Sequence, residues 1–300
     1  MNILIYGVGG IGGFLGSRLI DKTINLTFMA RGKRYDFLKK KGLILKSSLG
    51  NASVRKIHVI NAIDPNSKFD YIFSTVKLYD FDNSLEEILS LNKSDFIFVP
   101  FQNGIYAENK AIKIFGKERV CAGVAQISSY IDNKQTIIHV GKLATFFVGT
   151  SNKSNQVKLH KLCSHNSVKK INLIYKNNIY EKIWQKFIFL SAYSGMTTAY
   201  NKTIGQLFED NSLKLEFIKA MQETFNLANF YNIEFRQDPI DFWLKKIERM
   251  PYQMTSSMHE DHKKNKKLEL EWLSGLVVDK SKDAGINCKV HKTLVEMIKN

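Results

Sequence analysis

The chain has 300 residues, 44% of them hydrophobic, and its 44 basic and 28 acidic side chains give a formal net charge of +16. That length supports one large core or two smaller ones, while four prolines and no Ser/Gly-rich tract argue against long disordered linkers. No stretch approaches the ~20 apolar residues a membrane span needs, and the lysines are spread along the chain instead of forming the arginine-rich stripe of a nucleic-acid binder.

No internal repeat is visible, and no cationic segment precedes an apolar run at the start, so no signal peptide is expected. Cys121, Cys163 and Cys288 are odd in number and lie in no CxxC spacing. They fit a reducing cytoplasm and offer no metal cage. The local clusters Lys39-Lys40-Lys41 and Lys263 to Lys267 read as solvated faces with some attraction for anions.

Residues 2–6 (N-I-L-I-Y) are a short apolar run and predict a buried strand. Gly7-Val8-Gly9-Gly10-Ile11-Gly12 follows and matches G-x-G-x-x-G, with Phe14, Leu15, Leu19 and Ile20 next at helical spacing. A glycine loop between a strand and a helix is the context in which this motif binds a dinucleotide. Gly7 would permit the tight turn, Gly9 the approach of a pyrophosphate, and Gly12 close packing of helix on strand. The helix N-terminus would offer N–H groups and a partial positive charge to the phosphates.

A second strand is expected over 25–30 (N-L-T-F-M-A). The residue after it discriminates cofactors: an acid there binds the ribose 2′-hydroxyl of NAD. This chain has Arg31, followed by Gly32, Lys33 and Arg34, which suits the 2′-phosphate of NADPH; the competing reading is a solvated basic turn. Further strands are expected over 71–76, ending at Lys77, and over 96–99, ending at Pro100-Phe101-Gln102-Asn103-Gly104. Ligands of open α/β sheets bind at the carboxyl ends of strands, so Lys77 and Asn103 should project toward the cofactor. A hairpin pairing 136–140 with 145–148 through Gly141-Lys142-Leu143-Ala144 is expected to close this part.

After about Asn178 the β pattern gives way to helical periodicity over 181–192, 212–231, 240–248, 264–284 and 292–299. The expected architecture is α/β: a Rossmann-type dinucleotide-binding domain over 1–178 followed by an all-α domain over 179–300, with the active site in the cleft between them. Lys186 lies among Ile183, Trp184, Phe187, Ile188 and Phe189. Desolvation there would lower its pKa and suit it to proton transfer, whereas a lysine that snorkels out would be an ordinary solvated one. Ser257 and Glu269 are twelve residues apart, about 18 Å if the segment is helical.

Taken in order, Gly7-x-Gly9-x-x-Gly12, Arg31, Val76-Lys77, Gln102-Asn103-Gly104, His139-x-Gly141, Trp184-x-Lys186, Ser256-Ser257-Met258 and Glu269 resemble the ketopantoate reductase (2-dehydropantoate 2-reductase) family over nearly the whole chain. The resemblance implies reduction of the 2-oxo group of ketopantoate by NADPH, on the route to pantothenate and coenzyme A. It implies Lys186 as the catalytic acid and Glu269 as a carboxylate near the nicotinamide and the substrate hydroxyls. Asn103 would bridge cofactor and substrate, Ser257 would touch substrate, and Arg31 and Lys77 would hold the adenosine phosphate end. Leu190, Ser194 and Ile204 stand where the family pattern has asparagines, so the reaction class transfers better than the substrate. Ser194 is kept as a shorter substrate contact. The alternatives are a reductase of another bulky 2-oxo acid and a dinucleotide-sensing protein without turnover. A small-molecule partner is implied, with no nucleic acid or membrane, for a monomer or homodimer.

Overall fold

The computed structural model describes residues 1–91, 95–165, 168 and 171–300. It forms two compact units: Met1–Gln102 with Ala107–Ile179, and Asn103–Tyr106 with Tyr180–Asn300. The first is α/β and the second is helical.

The first unit is built on a five-stranded parallel sheet. Its strands are β1 (Asn2–Tyr6), β2 (Asn25–Met29), β5 (His58–Ile60), β6 (Tyr71–Ser74) and β7 (Ile97–Pro100), in the order β5-β2-β1-β6-β7. The chain moves outward from β1 through β2 to β5, then returns to the other side of β1 as β6. The order therefore reverses between β1 and β6, and the carboxyl ends of those two strands flank the switch point where such sheets bind ligands. β1, β6 and β7 are buried almost throughout, as strands covered on both faces must be.

Helix α1 (Gly10–Leu19) follows β1 through the glycine loop and packs closely because its inner face is small. A side-chain carbon on Gly12 would lie 2.1 Å from the Gly7 carbonyl oxygen, one on Gly13 2.4 Å from the Ile137 side chain, and one on Gly16 2.2 Å from the Phe28 ring. The glycines cost helix propensity. In exchange, the helix axis comes within reach of Phe28 and Ile137, both fully buried.

A second sheet in the same unit has the order β10-β9-β3-β4, with β8 pairing the other edge of β9. Here β3 is Leu43–Lys46, β4 Ala52–Val54, β8 Ala122–Ile131, β9 Ile137–Gly149 and β10 Leu173–Tyr175. The hairpin expected around Gly141 is placed differently. β9 runs unbroken through 141–144 and pairs antiparallel with β8. The reversal falls at 132–136, where the Asp132 carboxylate accepts from the amides of Lys134 and Thr136 and Gln135 sits at φ +64°. Gly141, at φ +76°, instead opens a bulge, since Ile127 faces Ala144 while the next residue, Ser128, faces Val140. His139 closes it. Its Nε2 donates to the Leu143 carbonyl at 3.0 Å, and its Nδ1 accepts from the Ser47 hydroxyl at 2.8 Å.

In the helical unit, the long helix Ile179–Ala199 is buried on nearly every side, as its all-round apolar sequence requires. Phe189 stacks on Trp243 of the helix Pro239–Ile247, with ring centroids 4.2 Å apart, and meets Phe217 of the helix Asn211–Phe230. Ser274, heading the helix Ser274–Asp283, donates to the Ser191 carbonyl. A side-chain carbon on Gly195 would meet Leu294 of the last helix, Lys289–Lys299, at 3.0 Å. The helix expected over 264–284 forms only from Ser274 onward. A short helix, Ser257–Lys263, ends in a turn at Lys264 and Asn265, the latter at φ +48°, and 266–269 are irregular. Lys263 ends that helix and Lys264, Lys266 and Lys267 lie beyond it; Lys263 and Lys264 pair back onto Glu260.

Candidate active site

The glycine loop leaves β1 with Gly7 at φ +98°, its N–H donating to the Met29 carbonyl at 3.1 Å. A side-chain carbon on Gly7 would lie 2.8 Å from the Val76 nitrogen and one on Gly10 2.3 Å from the Ser129 carbonyl, whereas one on Gly9 would meet nothing within 4 Å. So Gly7, Gly10 and Gly12 are required by crowding from the protein, and Gly9 faces open space. Gly9 is also the N-cap of α1 and makes no side-chain capping bond, and the first turn holds no acidic residue. A backbone cradle with room at Gly9, at a helix N-terminus without a cap, fits the pyrophosphate of a dinucleotide. Val8 is buried and Ile11 half-buried.

Two side chains that the motif alone does not reveal, Arg34 and Thr75, hold this loop, and a third, Gln102, fixes the strand ends beside it. Arg34 Nε donates to the Val8 carbonyl at 2.9 Å, and its Nη1 reaches the Gln135 carbonyl at 2.6 Å. The Thr75 hydroxyl donates to the Gly7 carbonyl. Gln102 Nε2 donates to Ser74 Oγ at 2.8 Å and to the Val76 carbonyl at 3.2 Å, tying the carboxyl ends of β6 and β7 together. Lys77 follows β6, half-buried, and precedes the single turn Leu78–Asp80. Arg31 heads the helix Gly32–Lys41, and its guanidinium pairs with Glu87 and with the Tyr6 hydroxyl.

The second group of residues belongs to the helical unit. Lys186 projects from the middle of the helix Ile179–Ala199 and donates from Nζ to Asn103 Oδ1 at 2.8 Å. Burial lowers its pKa from the ordinary lysine value to about 8, and the negative charge of Glu269 acts in the opposite sense. Glu269 is buried just before the turn Leu270–Trp272. Gly104 follows Asn103 at φ +82°, where a side-chain carbon would lie 3.2 Å from the Trp272 carbonyl, so a glycine is needed to carry Asn103 to this place. Lys186, Asn103 and Glu269 thus come together as an ammonium, an amide and a carboxylate in one half-buried setting.

The other expected contacts differ in burial and in partners. Ser257 is exposed on the first turn of its helix, while Ser256 is buried, caps that helix through the His259 amide at 3.1 Å and meets Thr197 Oγ1 at 2.7 Å. Leu190 is half-buried one turn beyond Lys186. Ser194 is buried and its hydroxyl has no hydrogen-bond partner. Ile204 is buried at the start of the helix Ile204–Glu209. Asn201 Oδ1 meets His259 Nε2 at 2.7 Å.

A parallel sheet with a cradle at the N-terminus of its first helix fits a dinucleotide-binding enzyme, and the helical unit carries a buried lysine, hydrogen-bonded to an amide, that can supply a proton. The family model for ketopantoate reductase PanE/ApbA matches residues 3–153 and that for its C-terminal part matches residues 178–300, so the chain belongs to the ketopantoate reductase family. Among curated relatives, it is 27% identical over 294 residues to the uncharacterized oxidoreductase YkpB of Bacillus subtilis, covering 98% of this chain and 96% of that one. It is 23% identical to a 2-dehydropantoate 2-reductase of Archaeoglobus fulgidus, covering 99% and 96%. Among solved structures, a 2-dehydropantoate 2-reductase of Geobacter metallireducens superposes with a TM-score of 0.88 at 18% identity, covering 100% and 99%. A D-mandelate dehydrogenase with NADH and anilino(oxo)acetate superposes with a TM-score of 0.89 at 18% identity, covering 100% and 97%. Among the described residues no helix is long and apolar enough to cross a membrane.

Proposed function

We propose that this chain reduces a bulky 2-oxo acid to the 2-hydroxy acid with NADPH, and that ketopantoate is the best single substrate. The observation that carries the reading is the Lys186 ammonium, lowered to about 8 by burial and held at 2.8 Å by Asn103 Oδ1. Reduced nicotinamide, when bound, supplies a hydride to the carbonyl carbon. Lys186 gives its Nζ proton to the carbonyl oxygen, and until then its charge stabilises the alkoxide that develops there. With a pKa of about 8 it is mostly protonated at neutral pH, yet it releases the proton far more readily than an ordinary lysine. Asn103 orients the ammonium by accepting one of its hydrogens. Glu269 keeps it charged against burial and leaves an acceptor for a substrate hydroxyl. Gly7 to Gly12 would take the pyrophosphate, and Arg31 and Lys77 the adenosine phosphate end.

Leu190 favours a second, broader reading. An apolar side chain one turn from Lys186 cannot pair with a substrate hydroxyl, so another branched or aryl 2-oxo acid fits this face as well. The fold leaves both side chain and cofactor open, since it also carries a D-mandelate dehydrogenase with NADH. An NADPH-oxidation assay across a panel of 2-oxo acids decides between them. The highest kcat/KM for ketopantoate supports the first reading, and a clear preference for another member supports the second. No turnover with any member would point to a dinucleotide-sensing role. Arg31→Ala in the same assay should raise KM for NADPH roughly tenfold to hundredfold and leave KM for NADH nearly unchanged.

A further inference from the structure

Arg31 is held by a cluster that does not come from the glycine motif. Its Nη2 donates to Glu87 Oε2 and, at 2.9 Å, to the Tyr6 hydroxyl. The Tyr6 hydroxyl donates to the same Glu87 oxygen, while Oε1 accepts from the Ile63 amide at 3.3 Å. Burial and the Glu87 carboxylate push the Tyr6 phenol far above its ordinary range, so it stays a donor. Glu87 is therefore fixed by a backbone amide, a phenol and a guanidinium. It sits in the last turn of the helix Phe81–Leu89, where the helix's own partial charge is negative and a carboxylate is locally disfavoured. Pairing with Arg31 offsets that. The pair still reaches solvent, with 56% of the Arg31 side chain and 22% of the Glu87 side chain exposed, so a ligand can approach it.

We propose that Glu87 selects the cofactor: its carboxylate occupies the Arg31 guanidinium that a ribose 2′-phosphate requires, and offers an acceptor to a ribose 2′-hydroxyl when no phosphate is present. The proposal rests on the reading that Arg31 faces the adenosine ribose. Carboxylate and phosphate are both anions competing for one planar, two-pronged donor. Glu87 and Tyr6 both take Nη2, so a phosphate must displace Glu87 there or bind through the other guanidinium nitrogens beside its charge. A chain with Arg31 alone would choose NADPH strongly. With Glu87 against it, the same arginine discriminates less than it would alone, and the unphosphorylated cofactor has a partner of its own.

Titration calorimetry with 2′,5′-ADP and 5′-AMP reads this directly, because these probes carry the ribose end without the nicotinamide. In Glu87→Gln, which keeps the shape and removes the charge, affinity for 2′,5′-ADP should rise about tenfold while that for 5′-AMP falls, widening the ratio between the two probes. Glu87→Ala should widen it in the same direction. Thermal melts on the same samples show whether each variant is folded; a lowered Tm with an unchanged ratio means Glu87 only supports Arg31, and overturns the proposal. Arg31→Ala separates the underlying reading: it should narrow the wild-type ratio. If it lowers both affinities equally, Arg31 does not face the 2′ position, and the role of Glu87 falls with it. A narrowed ratio in Arg31→Ala with no widening in either Glu87 variant refutes the role of Glu87 alone.

Discussion

Lys186 and Asn103 are 83 residues apart in sequence and 2.8 Å apart in space, joined by a hydrogen bond from the ammonium to the amide oxygen. The contact depends on two local features. The apolar helix Ile179–Ala199 desolvates Lys186, and Gly104, at φ +82°, turns the chain so that Asn103 can meet it. Glu269 supplies the opposing charge.

This triad gives the pH profile a definite sign. As the proposed general acid, Lys186 would have to be protonated for carbonyl reduction and neutral for oxidation of a hydroxyl. For reduction, kcat/KM should be level below neutrality and fall about tenfold per pH unit above a break near 8, the value to which burial lowers Lys186. Oxidation should rise through the same break. Glu269→Gln removes the charge that holds the proton on, so its break should move down by about one unit. A break that stays put in Glu269→Gln would show that Glu269 does not act on Lys186.

Lys186→Ala should lower kcat by ~10²–10⁴ and leave NADPH affinity nearly intact, as expected for a general acid. A lysine with only a structural role would instead lower the melting temperature and spare turnover per folded molecule. Measuring both on one preparation separates the two.

The glycines divide into two kinds, and alanine substitution distinguishes them. Gly12→Ala places a carbon 2.1 Å from the Gly7 carbonyl, so β1 and α1 must part, at a cost of ~1–3 kcal/mol and a lower Tm. Gly9→Ala meets nothing within 4 Å and has backbone angles that alanine adopts, φ −79° and ψ −155°. Its Tm should stay within about 1 °C of wild type, since a surface change of this kind is nearly neutral. Its affinity for 2′,5′-ADP should fall all the same, because the added methyl group occupies the approach to the phosphates. If Gly9→Ala binds normally, the phosphates do not pass over Gly9.

Much of this was legible locally. The strand, glycine loop and helix at the start follow from spacing alone, and the apolar run around Lys186 announces a buried helix. What failed depended on competition between neighbouring signals. Gly141 looks like a hairpin turn, but Asp132 and Gln135 make the better one, and Gly141 is left to open a bulge. Periodicity carries across 264–284, yet the turn at Asn265 interrupts it. The three- and four-residue strands β3, β4 and β5 are too short to show a period. Glu87 gives no sign in sequence, since its partner Arg31 is 56 residues away and nothing in its own helix requires a carboxylate. Ser256 and Ser257 are adjacent and alike, and only the fold shows that the first is spent on capping.

The substrate face should be permissive. Leu190 and Ser194 follow Lys186 at four and eight residues, on neighbouring positions of one helix face. Leu190 has no hydrogen-bonding group, and the Ser194 hydroxyl is buried in the helix packing instead of being presented at the surface. Neither can be expected to read the 4-hydroxyl of ketopantoate. An analogue without it, 2-oxo-3,3-dimethylbutanoate, should therefore be reduced with kcat/KM within about tenfold of ketopantoate's. A site built to pair a hydroxyl rejects such an analogue by ~10⁴ or more. Leu190→Asn should move the enzyme toward that limit by raising the ketopantoate to analogue ratio. Discrimination near ~10⁴ in the wild type would mean that another group, with Glu269 and Ser257 the nearest candidates by chemistry, already holds the hydroxyl. Leu190 would then lie outside the substrate face, and the broader reading of the substrate would lose its support.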